Sequence, residues 1–291
     1  METNHGHGHL VIIGGHEDRT HDKAVLQRFV ELAGGPEKKI VVISAASGVA
    51  EKMWAIYDQA FADLGVARRA HLRIESREDA NADTVLRELA DAGGIFMTGG
   101  DQKRLMANIG GTAFDRELHA AYLKRGVCIG GTSAGASAMS GHMLATGHAG
   151  TTPEKGAVNL GAGLGLVRGV VIDQHFSERH RLSRLLTVVA QNPYLQGAGI
   201  DEDTALVIER GVGIEVIGQG AVTIVDGRTM HSNMASAASG ECPRLVDVRL
   251  HLLPTGTRYA LSGPGEDGDV PAALRDFINT VTKRIDYHEN H

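Results

Sequence analysis

The chain has 291 residues, 42% of them hydrophobic and 22% charged, with a formal net charge of −6. That is the profile of a soluble globular chain long enough for a sizeable core. The charge excludes a global basic field that would recruit nucleic acid or an anionic membrane, and it suits a cationic substrate.

Cys128 and Cys242 are the only cysteines, so no disulfide framework is expected and a reducing compartment such as the cytoplasm fits. The opening METNHGHGHLVII has no basic segment ahead of a long apolar core, so no secretory leader is expected. No apolar run approaches the ~20 residues that span a bilayer. His5, His7 and His9 offer loose metal chelation at most, and the cluster reads as incidental.

The first half alternates apolar runs with amphipathic stretches. His9–Ile13 reads as a strand ending in Gly14-Gly15, and Val25, Leu26, Phe29 and Leu32 recur at helical spacing until Gly34-Gly35-Pro36. Lys39–Ser44 is a second strand, and Ile56, Ala60 and Leu64 mark the next helix. Ala70–Ile74 is a strand, with Val85, Leu86 and Leu89 on the helix after it. Ile95–Thr98 runs into Gly99-Gly100-Asp101-Gln102. Phe114, Leu118 and Leu123 belong to a helix stopped by Gly126, ahead of the strand Val127–Ile129.

Such β-then-α units predict an α/β fold, a three-layer αβα sandwich on a mostly parallel central sheet. In these sheets reactive groups gather beyond the carboxyl ends of the strands.

In the second half, residues 147–165 read as irregular and glycine-rich, and Gly169–Ile172 as a strand entering Asp173-Gln174-His175-Phe176. Leu182, Leu185, Leu186 and Val189 mark a helix ended by Asn192-Pro193. Thr204–Glu209, Ile214–Ile217 and Val222–Val225 read as an antiparallel meander, and Leu274, Phe277, Ile278 and Val281 as a last helix. With no proline-rich linker and no internal repeat, residues 1–291 are expected to form one domain.

Gly131-Thr132-Ser133-Ala134-Gly135 fits G-x-S-x-G between a strand and a helix. There a serine sits on a tight turn with Oγ exposed, the amide of Ala134 faces a developing oxyanion, and the helix start adds positive partial charge. The competing reading is a serine that only caps the helix. Catalysis would need a base, and His175, after an apolar strand at what should be the same edge of the sheet, is the best placed. For the acid, Asp201, Glu202 and Asp203 remain equivalent on spacing alone. The order Ser, His, acid differs from that of α/β-hydrolases.

Five stretches carry a resemblance: GGHED at 14–18, TGGDQ at 98–102, GGTSAGASAMS at 130–140, DQHFSERHRLSRL at 173–185 and GIDEDTA at 199–205. In them the sequence resembles the cyanophycinase family, serine exopeptidases related to aspartyl dipeptidases with a class I glutamine-amidotransferase-like (flavodoxin-like) fold. The resemblance implies Ser133 as nucleophile, His175 as base and then acid, and Glu202 as the group orienting the imidazole. It implies an oxyanion hole from Gly100, Asp101 and Ala134, and substrate contacts from Gln102, Asp173, Gln174, Arg179, Arg181 and Arg184.

The implied substrate is cyanophycin, a poly-aspartate with arginine on each β-carboxylate, cut from its C-terminal end to β-Asp-Arg dipeptides without metal or organic cofactor. Asp173 would pair with guanidinium and the arginines would clamp carboxylates. A homodimer is implied by the resemblance only. On a regular helix over 177–190, Arg179 would lie about 140–160° from Arg181 and Arg184, at roughly 100° per residue. All three could then meet one dipeptide only if the first turn is irregular. The alternatives are an aspartyl or isoaspartyl dipeptidase, and a non-catalytic binder of charged peptides on the same scaffold.

Overall fold

Alternating side chains of the first strand point to opposite faces of the sheet, and here both faces are apolar: Leu10 and Ile12 on one, Val11 and Ile13 on the other, all buried. A strand apolar on both faces must be covered from both sides. The computed structural model describes residues 8–261 and 270–283; His5 and His7 of the histidine cluster lie outside them.

In chain order the first half runs β1 (His9–Ile13), α1 (Ala24–Leu32), β2 (Lys39–Ile43), α2 (Ala50–Asp63), β3 (Arg69–Leu72), α3 (Asp83–Ala90), β4 (Ala92–Met97), α4 (Gln102–Ile109), α5 (Ala113–Arg125) and β5 (Cys128–Thr132). The second half runs α6 (Ala134–Ala138), β6 (His142–Gly147), β7 (Val158–Ala162), β8 (Val170–Gln174), α7 (Leu182–Gln191), β9 (Gln196–Ile200), β10 (Thr204–Glu209), β11 (Gly213–Gly218) and β12 (Ala221–Asp226). It closes with β13 (His231–Ser232), β14 (Leu245–Val246), β15 (Arg249–Pro254), β16 (Arg258–Ala260) and α8 (Ala272–Thr282).

The central sheet has eight strands in the order β16-β11-β10-β1-β5-β4-β2-β3. The five from β1 to β3 are parallel, and β10, β11 and β16 extend it antiparallel. Helices α1 and α2 cover one face through Phe29, Tyr57 and Phe61. The other face packs on α3, α5 and α8 through Leu89, Leu118 and Phe277.

The C-terminal strands differ from the expected run of three. β10 and β11 do form an antiparallel pair in the main sheet, but β12 leaves it and pairs with β9 and β15 in a second sheet, ordered β15-β12-β9-β8. The break lies at Gly218, whose φ of +107° and contact with the Asp203 carbonyl leave no room for a side chain. Beyond it the Gly220 amide donates to Thr204 Oγ1 and the Ala221 amide to Asp201 Oδ2, which starts β12 in its new sheet. Strand β8, bearing His175 at its end, therefore belongs to this second sheet rather than to the one carrying Ser133. Ile172, Ile200, Val222 and Ile224 share one apolar cluster with Leu206 and Ile208 of the main sheet, and that shared core fixes the two sheets against each other.

Residues 147–165 are more regular than the glycine content suggested, since β6 and β7 pair antiparallel. The segment between them is tied to α7: Ser183 Oγ donates to the Gly150 carbonyl at 2.6 Å, and the Glu154 amide to Thr187 Oγ1 at 3.1 Å.

Candidate active site

The turn after β5 puts Ser133 at φ 53° and ψ −110°, a backbone conformation that costs about 1–3 kcal/mol for a residue with a side chain. The surroundings hold it there. The Ser133 amide donates to the Ile13 carbonyl at 3.1 Å, and the Ser133 carbonyl accepts from Ser137 in the first turn of α6. Gly131 and Gly135 meet at this turn, and a Cβ on Gly131 would stand 2.7 Å from the Gly135 carbonyl oxygen. Although Ser133 precedes a helix, its hydroxyl makes no capping bond.

Instead Ser133 Oγ lies 2.9 Å from His175 Nε2. His175 follows β8, itself at φ 48°, with its amide donating to the Gly14 carbonyl at 2.7 Å. Its Nδ1 lies 2.5 Å from Glu202 Oε1. Side-chain exposure falls from 24% at Glu202 to 5% at His175, so the imidazole is buried between a hydroxyl and a partly solvated carboxylate.

Burial, the largest influence, disfavours the imidazolium and holds the His175 pKa below its ordinary 6.5, helped by the nearby charge of Arg179; the bond to Glu202 acts the other way. At Glu202 burial alone would raise the pKa, but hydrogen bonds from His175 and His16 outweigh it and keep the carboxyl ionised.

Geometry separates the three neighbouring acids. Asp201 is spent on the fold, with Oδ1 accepting from the amide and hydroxyl of Ser177 and Oδ2 from Ala221. Asp203 accepts from the Asp18 amide at 2.8 Å. Among these three, Glu202 alone bonds the imidazole.

The loop after β1 holds these turns together. Ile13, Gly14 and Gly15 offer their carbonyls to the amides of Ser133, His175 and Asp203 respectively. Gly15 has φ +103°, and a Cβ there would stand 2.3 Å from His175 Cε1. Glu17, 2% exposed, accepts from Thr132 Oγ1 at 2.6 Å and from the Tyr57 hydroxyl, bracing the residue before Ser133. His16 places Nδ1 2.8 Å from the second oxygen of Glu202. Residue-by-residue reading gave none of these three a role, although all lie in GGHED at 14–18.

For the oxyanion donors the placement is uneven. Ala134 opens α6, so its amide has no acceptor within the helix. Gly99 packs on Ser133, a Cβ there lying 3.3 Å from that of the serine, and Gly100 stands in φ +147° against the Ala46 carbonyl. Asp101 departs from the expectation. Its amide already donates to the Ala46 carbonyl at 3.0 Å, and its carboxylate caps α4 through the amides of Lys103 and Arg104.

The expected substrate residues divide likewise. Asp173 is 1% exposed and both oxygens are taken, Oδ2 by Arg184 Nε at 2.7 Å and Oδ1 by the other arm of Arg184 and by Arg181. It therefore offers no free carboxylate to a guanidinium. Arg184 also donates to the Gly147 carbonyl at 3.0 Å. Arg181 donates to the main chain of Gln174 and, at 3.1 Å, to its side chain, with burial pushing its pKa down to about 10.

Gln174 Oε1 lies 3.4 Å from Ser133 Oγ. Gln102 is half-buried and donates to the Leu144 carbonyl at 3.0 Å. Residues 176–181 form irregular turns before α7 starts at Leu182, so the regular-helix geometry does not apply. Arg179 is exposed beside His175, with no ion-pair partner among the described residues.

The sequence model of Peptidase family S51 matches residues 10–216, a span that contains every residue of this site. The chain belongs to Peptidase family S51. A cyanophycinase of Geminocystis herdmanii is 38% identical over 251 residues, covering 86% of this chain and 92% of that protein. A cyanophycinase of Synechococcus elongatus is 38% identical over 258 residues, 88% of this chain and 80% of its own length.

Among solved structures, a peptidase from an acI-B1 Actinobacterium superposes with a TM-score of 0.68 at 21% identity, covering 89% of this chain and 99% of that one. A putative peptidase E protein from Listeria monocytogenes gives 0.52 at 20% identity, over 73% and 98%. These two show the fold of the S51 chain. The mixed α/β architecture on a mostly parallel central sheet is thus common to it and to those peptidases.

Proposed function

We propose that this S51 peptidase is a serine exopeptidase that hydrolyses cyanophycin from its C-terminal end and releases β-Asp-Arg dipeptides. The observation that carries the reading is the continuous chain Ser133 Oγ–His175 Nε2–Glu202, with links of 2.9 and 2.5 Å. It lies in a sequence 36–38% identical to proteins named cyanophycinase.

Glu202 keeps the ring proton on Nδ1, so Nε2 is free to accept the Ser133 proton as Oγ bonds to the scissile carbonyl carbon. The amides of Ala134 and Gly100 receive the oxyanion; Asp101 contributes through its cap on α4 rather than through its amide. His175 then gives its proton to the departing amine, leaving an acyl-Ser133 ester. Water, deprotonated by the same nitrogen, opens that ester and restores the hydroxyl.

Arg179 binds a substrate carboxylate, and Gln174 and Gln102 complete the rim. Asp173, Arg181 and Arg184 support this surface from beneath. The whole chain acts as one domain, in support of which both sheets share one core. It works in the cytoplasm, consistent with free Cys128 and Cys242, and as a homodimer, which light scattering would test. No nucleic acid or membrane is a partner. Among the described residues no helix is long and apolar enough to cross a bilayer.

Incubation with insoluble cyanophycin tests the reading. Wild type should release soluble β-Asp-Arg and Ser133→Ala should lose at least about 10³-fold in rate. A wild type inert on the polymer but active on isoaspartyl dipeptides would favour the dipeptidase alternative, and undiminished turnover by Ser133→Ala would overturn the serine mechanism.

A further inference from the structure

The Glu202 carboxylate is shared by two histidines. His175 Nδ1 holds one oxygen and His16 Nδ1 the other, at 2.5 and 2.8 Å, and the two rings meet edge to face with centroids 5.0 Å apart. One ligand atom from each of His16, His175 and Glu202 can be chosen so that all three lie within 4.8 Å of one another. Two imidazoles and a carboxylate are the donors a borderline divalent cation prefers, with water in the fourth position.

Bonds of about 2.0–2.2 Å in a tetrahedron put neighbouring ligand atoms about 3.3–3.6 Å apart, so an ion entering the set must open the carboxylate from its present 2.5 and 2.8 Å on the two imidazole nitrogens while those nitrogens stay within reach of it. Glu202 and His16 can supply that movement, since their side chains are 24% and 65% exposed and His16 stands on the loop after β1. The buried His175 need not move.

We propose that His16, His175 and Glu202 form an inhibitory zinc site. The proposal rests on the reading of His175 as the general base. In the resting enzyme the imidazole carries its single proton on Nδ1, toward Glu202. An ion bonded to Nδ1 takes the nitrogen lone pair there, and the ring proton relocates through solvent to Nε2. The nitrogen 2.9 Å from Ser133 Oγ then donates instead of accepting, so the serine has no base. Its hydroxyl becomes the outer acceptor that metal-bound histidines ordinarily have. Glu202, drawn to the ion, no longer orients the ring. Hydrolysis stops without any covalent change, and a chelator restores it.

The test uses the full chain with Zn²⁺ and Co²⁺ as probes. Ser133→Ala, which removes turnover but none of the three ligands, should bind one Co²⁺ with the strong visible absorption of a four-coordinate site. Adding His16→Gln should weaken binding at least tenfold. In parallel, Zn²⁺ should inhibit wild-type hydrolysis reversibly, and His16→Gln should raise the half-inhibiting concentration at least tenfold relative to its own uninhibited rate. A His5→Gln/His7→Gln variant should change neither readout.

Binding that survives His16→Gln but disappears in the His5/His7 variant would overturn the site. So would His16-dependent binding that leaves hydrolysis untouched. If Co²⁺ binds as expected while wild type cleaves no peptide, the metal site stands and the peptidase reading is what fails.

Discussion

Replacing Gly15 by alanine tests whether the loop after β1 sets the position of the base. The added Cβ would stand 2.3 Å from His175 Cε1 and 2.5 Å from Nε2, whereas carbon atoms in contact sit about 3.5–4.0 Å apart. The ring or the loop must therefore yield by more than an ångström, and the ring is the part whose nitrogen faces Ser133. A misplacement of that size costs about 10²-fold in rate, equivalent to about 2.7 kcal/mol of transition-state stabilisation.

The φ of +103° at Gly15 adds backbone strain of about 1–3 kcal/mol, which lowers stability by itself. Gly35→Ala separates the two effects, because its φ is +91° but no atom lies within 4 Å of the new Cβ. Release of dipeptide from cyanophycin, measured beside urea denaturation, should show both variants destabilised and only Gly15→Ala slowed about 10²-fold. A Gly15→Ala enzyme within about threefold of wild type would refute the claim that this contact fixes the imidazole.

Activity should rise with pH as His175 loses its proton, and because burial lowers its pKa the midpoint of kcat/KM should fall below 6.5, the ordinary histidine value. Arg179 contributes to that lowering, so Arg179→Ala should move the midpoint to higher pH while raising KM; an unchanged midpoint would separate Arg179 from the base. Glu202→Gln should cost roughly 10²–10⁴-fold in kcat through the wrong tautomer, with circular dichroism unchanged. Arg184→Ala removes the Arg184 bonds to both oxygens of the buried Asp173 carboxylate, leaves it only Arg181 as a cation at 3.4 Å, and should lower stability by about 3 kcal/mol in urea titration. Asp173→Asn in the same background should recover part of that loss if the ion pair is structural.

The βα order was readable because the inner strands β1, β2 and β4 carry apolar residues on both faces and α1, α2, α3 and α5 repeat them at their own period. Ser133 was readable because G-x-S-x-G between strand and helix is a local pattern. Strand β9, Gln196–Ile200, was not, since its glycines at 197 and 199 exist to admit Leu185 and Phe176 rather than to punctuate a turn. Helix α4 escaped because it shows so little apolar surface: Leu105 and Ile109 are its buried residues. The departure of β12 into a second sheet is accompanied by hydrogen bonds from the Gly220 and Ala221 amides to Thr204 and Asp201, which no periodicity contains.

By itself, then, the sequence determined the βα scaffold, the serine turn and, through the resemblance, the three residues of the proposed triad. Tertiary structure decided which acids and arginines are spent on the fold: Asp201 and Asp203 hold turns, and Asp173 is enclosed by Arg181 and Arg184. It also brought His16 onto Glu202 from 186 positions away. The physical reason is that a charged side chain's role depends on what it meets after burial, and that meeting is a property of the folded chain rather than of spacing along it.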